Sequence, residues 1–303
     1  MNTRRINFLR DPAKKGRITV FAGAVCISFS ALFVQGASID PSMVAFYRLL
    51  FGGVALAVLA VVRKERLVPQ SSVLPYILLA GFFFSADLTA WHASIVRIGP
   101  GLATILANFQ VFFLTLFGVF FLKEQLSWRH TLAIPLALFG LCLLLEIDPR
   151  KLPENIMEGV LLGLATALFY SIYILLLRRS QSGQDKLPAI ANMAVVSLIA
   201  CFLEGVFCAG VGISFSIPDM HTVLLLVALG ILCQALGWFL LSTGLPHMPA
   251  SHAGLIILIQ PVLSFVWDII FCQRPTGIIG YAGAIISIGA IYLGFVRTTS
   301  NSK

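Results

Sequence analysis

Charge is scarce in this chain. Asp, Glu, Lys and Arg make up only 11% of its 303 residues, against roughly 25% in soluble globular domains. No polar run is long enough to build a soluble domain. No P-loop and no HExxH occurs, which argues against ATP-driven work and zinc hydrolysis by this chain. The six cysteines (Cys26, Cys142, Cys201, Cys208, Cys233 and Cys272) fall in apolar blocks or at their ends. They show neither metal-ligand spacing nor a disulfide framework, and read as small buried hydrophobes. No metal and no cofactor is expected.

Apolar sequence is abundant. The chain is 58% hydrophobic with a mean hydropathy of +0.94. The apolar residues come in ten blocks, at about 18–35, 42–62, 73–94, 101–122, 128–146, 157–178, 188–209, 221–243, 250–271 and 276–296. About 20 apolar residues cross the roughly 30 Å of bilayer hydrocarbon. Blocks this long and non-alternating satisfy their backbone in lipid only as helices. The expected fold is an all-α integral membrane protein with ten transmembrane helices. The first block is too long for a signal-peptide core and is read as retained.

The net charge of +8 could suggest nucleic acid, but its placement argues otherwise. With the N-terminus inside, sixteen Lys and Arg face the cytoplasm and four (Arg97, Arg150, Lys151 and Arg274) face out, with Arg48 inside a span. The positive-inside rule then places both termini in the cytoplasm, and the protein in the plasma (inner) membrane.

The blocks also repeat. Ala103 and Gln110 recur as Ala253 and Gln260, 150 residues on, and Gly81 and Gly140 recur as Gly230 and Gly289, 149 residues on. Five spans per copy force the copies into opposite orientations, giving two inverted five-helix repeats. The expected organisation is a cytoplasmic segment over 1–17, a first repeat over 18–146, an outer linker over 147–156, a second repeat over 157–296 and a cytoplasmic tail over 297–303.

These features resemble the drug/metabolite transporter superfamily, of the EamA type. Ala45-Phe46-Tyr47-Arg48 is similar to its second-helix signature, and Phe120-Phe121-Leu122-Lys123-Glu124-Gln125-Leu126-Ser127 to the glutamate turn closing its fourth helix. Ala137-Leu138-Phe139-Gly140 and Ile286-Ser287-Ile288-Gly289 resemble its fifth and tenth helices, and Gln260-Pro261-Val262 its ninth. Two departures stand out. Gln110-Val111 replaces a common fourth-helix proline, and Gln273-Arg274 stands where a glutamate is common before the arginine. The resemblance implies a central cavity between the repeats and movement of small metabolites, without naming the metabolite.

A charged side chain inside a span costs about 3 kcal/mol or more, so each needs a reason. Arg48, Asp87, Glu204 and Asp268 are expected in the outer half of the bilayer, at a shared depth that allows an arginine–carboxylate pair. Glu204 lies near enough to its helix end to reach water. On the third span, Asp87, Trp91 and Ser94 share a face, while His92 sides with Ser85 and Thr89. An aspartate beside an aromatic suits an amine or cation, or a proton-coupling role. On the ninth span, Gln260, Ser264 and Asp268 form a polar stripe beside Pro261. Further stripes carry Asn108 with Thr104 and Thr115, Tyr170 and Tyr173 with Thr166, Gln234 with Trp238, and Ser28 with Gln35. Gln110 belongs with its repeat partner Gln260. Each stripe alone could be interhelical glue; six together point to a common polar cavity. Gly283, Ser287, Ala290 and Gly294 form a small-residue face, expected to pack on the fifth span or on a second protomer in a homodimer.

The expected function is secondary active transport of a small metabolite, such as an amino acid or amine, by alternating access. Energy would come from an ion or substrate gradient, with protons as candidate partners and membrane lipids around the protein. The alternatives are a flippase for a lipid or lipid-linked carrier, which needs a lateral opening and a basic headgroup site, and an intramembrane enzyme, which needs a nucleophile–base set that the spacing does not supply.

Overall fold

The computed structural model describes residues 12–145, 156–273 and 275–295. The expected outer linker and cytoplasmic tail, and most of the N-terminal segment, lie outside the described residues. Ten helices follow in order: α1 Pro12–Gly36, α2 Pro41–Val62, α3 Leu74–Gly99, α4 Gly101–Phe120, α5 Trp128–Leu144, α6 Ile156–Ser180, α7 Ala189–Gly210, α8 Met220–His247, α9 Ala250–Cys272 and α10 Ile278–Phe295. Among the described residues there is no strand. Eight helices are long and apolar enough to cross a membrane, while α5 and α10 are shorter apolar helices of 17 and 18 residues. Successive helices reverse direction, so one face carries the start of α1 and the end of α10. We call it the near face and the opposite one the far face.

The ten helices are those read from the hydropathy, with shifted ends. α1 begins at Pro12, so Lys14, Lys15 and Arg17 ride on its first turns; long basic side chains can reach the interface from there. α3 and α8 run to Gly99 and His247, several residues past their apolar blocks. Little loop joins each to the next helix. A single glycine, Gly99 at φ 80°, turns α3 into α4; a left-handed conformation suits a residue without Cβ.

Three helices are interrupted near their middles. α1 breaks at Phe29, α4 at Phe109 and α9 at Leu258. The break in α9 follows from Pro261, which has no N–H to give the carbonyl four residues back. α4 has Val111 instead of proline and breaks all the same. There Asn108 Nδ2 donates to the Thr104 carbonyl at 2.7 Å. That side-chain bond competes for a helical acceptor, and the backbone tightens to Phe109 N–Leu106 O at 3.0 Å. α8 carries a π-helical stretch over Leu229–Gly237, a rare form often found at functional sites.

Packing follows the repeat. α2 packs on α7, α4 on α9 and α5 on α10, each helix meeting its own counterpart. α3 packs on α6 as α1 packs on α8, and α3 on α7 as α8 on α2. This is the pattern of two inverted repeats about a pseudo-twofold axis. The matched glycines act alike. A Cβ on Gly81 would overlap Ile199 of α7, and one on Gly230 would meet Phe51 and Gly52 of α2. The small-residue face of α10 is covered within the chain: Gly283 lies against Gly140 and Leu144 of α5, and Ser287 Oγ donates to the Ala137 carbonyl at 3.2 Å.

Candidate functional site

The centre of the molecule is polar. Arg48 of α2 donates through Nε to Gln234 Oε1 of α8 at 2.9 Å, and Gln234 Nε2 donates to Ser197 Oγ of α7 at 2.9 Å. The π-helical stretch presents Gln234, and Gly52 admits it: a Cβ there would stand 2.6 Å from the Gln234 side chain. The guanidinium carbon of Arg48 lies 5.9 Å from the Phe84 ring centroid, in cation–π range. Phe84 stacks on Tyr173 of α6 at 4.4 Å, and the Trp238 ring of α8 meets both edge-on at 5.2 and 4.9 Å. Tyr170 packs on Trp238 at 5.9 Å and lies beside Gln260 of α9. Asp87, 6% exposed, lies one turn beyond Phe84 on α3, in the electrostatic field of Arg48.

Depth differs from expectation. Because α3 runs on to Gly99, Asp87 stands at its midpoint, with Gln110, Gln234 and Gln260 near the midpoints of theirs. Asp268 lies near the far end of α9 and Glu204 nearer the far end of α7. The four charges do not share a depth, and neither Asp87 nor Glu204 comes within ion-pair distance of Arg48; ion pairs do form elsewhere, at Arg97–Glu158 and Arg178–Glu124. The guanidinium bonds an amide instead, because Gly52 lets α8 approach α2 closely.

The centre also leaves polar atoms buried without protein partners: Tyr173 OH, Trp238 Nε1, Gln260 Nε2 and Gln110 Oε1. The two glutamines are the repeat-matched pair. A buried unpaired donor or acceptor costs about 1–3 kcal/mol, so a polar ligand that satisfies several at once gains that much back.

Other expected site residues fall elsewhere. Trp91 packs toward the far end with Ile95, Ile98 and Leu164. Ser94 Oγ ties α3 to the Gly159 carbonyl of α6 at 2.8 Å. His92 is buried with Nδ1 unpartnered, apart from Ser85 and Thr89, which donate to Glu204. Asn108 bonds its own helix, as above. Ser264 Oγ donates to the Ser28 carbonyl at 2.7 Å, joining α9 to α1. Asp268 accepts from Gln35 Nε2 at 3.3 Å at the far mouth. Glu204 does not reach water: it is 0% exposed.

Three contributors escape a reading of polar stripes. Phe84 stands three residues before Asp87 in a run of phenylalanines. Ser197 is one small hydroxyl on an apolar helix. Glu124 lies in the α4–α5 connection, and its partners are 126 and 127 residues away. Its carboxylate accepts from Ala250 N at 2.7 Å, Ser251 N at 3.2 Å and Ser251 Oγ at 2.7 Å, with Arg178 Nη1 3.8 Å away. It thereby caps α9, whose N-cap Pro249 supplies no side-chain acceptor, and joins the near-face ends of α4, α6 and α9. A proline at an N-cap just ahead of a serine was the available signal for a missing acceptor.

Paired inverted repeats around a buried polar centre define the architecture of a membrane transporter. The chain belongs to the EamA-like transporter family, which matches residues 14–146 and 157–296. It is 24% identical over 264 residues to the uncharacterized transporter YdfC of Bacillus subtilis (strain 168), covering 87% of this chain and 84% of that protein. It is 25% identical over 275 residues to a probable amino-acid metabolite efflux pump of Escherichia coli (strain K12), covering 88% and 89%. A crystal structure of a protein with 19% identity superposes with a TM-score of 0.79 over 92% of this chain and 97% of that one, a likeness of fold.

Proposed function

We propose that this EamA-type transporter moves a small amine-bearing metabolite, such as an amino acid, by alternating access through the Arg48–Asp87 centre. One observation carries the reading: Arg48, Asp87, Tyr170, Gln234 and Gln260 come from five helices of both repeats and meet at mid-depth. Asp87 would take the amine, and Arg48, freed from Gln234, a carboxylate. The Phe84, Tyr170, Tyr173 and Trp238 rings would hold the apolar part. Two relatives are probable amino-acid metabolite efflux pumps, which is consistent with that ligand. Charge placement supports a near face that is cytoplasmic in a plasma (inner) membrane. The Glu124 cap supports closure of that face in the present state, and the midpoint breaks of α4 and α9 are the natural hinges for opening it.

A flippase would need a basic headgroup site at a lateral opening. The groove open to the side between α3, α6 and α7 is lined by no basic residue, so that reading gains nothing.

The test is uptake of labelled amino acids and amines into proteoliposomes. At least one substrate should be carried by the wild type and lost in Asp87→Asn at equal protein yield. Wild-type flux in Asp87→Asn would remove this centre from the mechanism.

A further inference from the structure

Glu204 is the buried acid that the central site does not use. It lies six residues from the end of α7 at Gly210, about 9 Å into the helix. Its Oε2 accepts from Ser85 Oγ at 3.1 Å and Thr89 Oγ1 at 3.2 Å, both on α3 and one turn apart. Its Oε1 is buried with no partner.

No cation answers it. On α3 the facing groups are Ser85, Thr89 and, within electrostatic range, Asp87. α2 turns the Phe46 ring toward Gly205, and its Arg48 is bonded to Gln234. Asp40, at the far end of α2, accepts from Ser42 N at 2.8 Å. On α7 itself the neighbouring titratable groups are the thiols Cys201 and Cys208. α8 has no Asp, Glu, Lys or Arg, and the charges of α6 sit at its two ends.

An ionised carboxylate held by two neutral hydroxyls, with one oxygen bare and a second acid in range, carries a desolvation cost that nothing nearby offsets. One arginine balances one of the two acids. The cluster of Arg48, Asp87 and Glu204 is electrically neutral when one acid carries a proton.

We propose that Glu204 is an exchangeable proton site, set apart from the Arg48–Asp87 centre and coupled to it through the charge on Asp87. Ser85 and Thr89 also line a groove of about 420 Å³ together with Phe82, Leu162, Phe169 and Leu203. Both residues line the groove, and both hydroxyls bond the carboxylate. A proton from a water reaching these hydroxyls passes to a hydroxyl oxygen as that hydroxyl hands its own proton to Glu204, and the reverse exchange empties the site. When an amine occupies Asp87 the local charge rises by one, and releasing the Glu204 proton restores the balance. That coupling rests on the function proposed above; the protonation does not.

The experiment is infrared difference spectroscopy of the full chain in lipid membranes across a pH jump, with no substrate added. The wild type should show a protonated-carboxyl C=O band that is lost on alkalinisation and missing in Glu204→Gln. In Asp87→Asn the band should persist and its midpoint should move, since a facing charge is gone. Ser85→Ala with Thr89→Val keeps the acid and should move the band frequency, which covers the case of Glu204→Gln failing to fold. Wild-type and Glu204→Gln spectra that superimpose would overturn the proposal. So would a band unmoved by loss of both hydroxyls, or a site that responds to sodium at constant pH. A positive band with no flux of any amine would leave Glu204 as a proton site and refute the substrate reading instead.

Discussion

The two mouths of this transporter are built from matching sequence and are held differently. At the near face, Glu124 reaches across from the α4–α5 connection to the start of α9 and takes three hydrogen bonds there. The matching far-face contact would run from position 274 to the start of α4. Glu124 corresponds to Arg274, Ala250 to Pro100 and Ser251 to Gly101, at the offset of 150. The acceptor has become an arginine, one backbone donor has become a proline, and the hydroxyl has gone. Both partners of the clasp changed in the sequence. Lysine 123 and its counterpart Gln273 keep the same left-handed turn, at φ 54° and 51°. The left-handed turn recurs in both repeats, while the residues of the clasp stand in the first repeat's turn and at the start of α9 only. In the alternating-access cycle proposed above, two mouths with unequal closing energies would favour one side at rest.

The sharpest way to break the comparison is Glu124→Ala. It removes a carboxylate from a helix N-terminus and from Ser251, and is expected to cost about 3 kcal/mol. Thermal unfolding in detergent should show it, and labelling of a cysteine placed at position 250 should rise at the near face. Unchanged stability and labelling would mean the clasp is ornamental. The converse change, Pro100→Ala and Gly101→Ser with Arg274→Glu, gives the far mouth the same residues. It should raise the unfolding midpoint by the equivalent of about 1–2 kcal/mol and slow flux, and a faster transporter would contradict the scheme. Ser251→Ala deletes one of the three bonds and should cost about 1 kcal/mol. Arg178→Ala removes only a partly exposed pair at 3.8 Å and should cost less than about 1 kcal/mol. A near-face effect as large as that of Glu124→Ala would put the arginine, not the cap, in charge.

The smallest effect belongs to the far-face cap of α8. Asp219 accepts from Thr222 N at 2.7 Å, and that backbone bond holds its carboxyl below the usual range. A carboxyl lowered in the folded state stabilises above its unfolded value, about 3.9, and loses that contribution as pH falls through the folded value. Asp219→Asn should therefore lower stability slightly at pH 7 and leave it unchanged below the folded value, which flattens the acid limb of a stability-against-pH curve. A variant as stable as the wild type at pH 7 would show that the cap geometry, not the charge, matters.

Much of this architecture is legible along the chain. Ten apolar blocks and an offset of 149–150 residues lead to ten helices in two opposed sets, because lipid leaves the backbone no other choice. Helix ends were less legible: α3 and α8 outrun their apolar blocks because the turn that follows each needs almost no loop. The candidate site was legible in part. Tyr170, Tyr173, Gln234, Trp238 and Gln260 stood out as polar or aromatic positions on helical stripes; the rings of Tyr170, Tyr173 and Trp238 meet, and Gln234 bonds Arg48. Asp268 and Ser264 share the Gln260 stripe but sit farther along α9, where they join α1 instead. A stripe gives the azimuth of a residue about its helix and says little about depth once the helix ends move.

Composition and spacing by themselves determined the class of environment, the number of helices and their opposition. These follow from hydrophobic length and from the parity of five spans, both local properties of the chain. Only the tertiary structure decided which polar groups share a neighbourhood. Arg48 meets Gln234 instead of an acid because one glycine on α2 lets a π-wound stretch of α8 come close. Glu204 is sealed by two hydroxyls of α3, and Glu124 finds its partners more than a hundred residues away. Those choices depend on distances of a few ångströms between separate helices, and such distances are set by how side chains pack across the whole bundle.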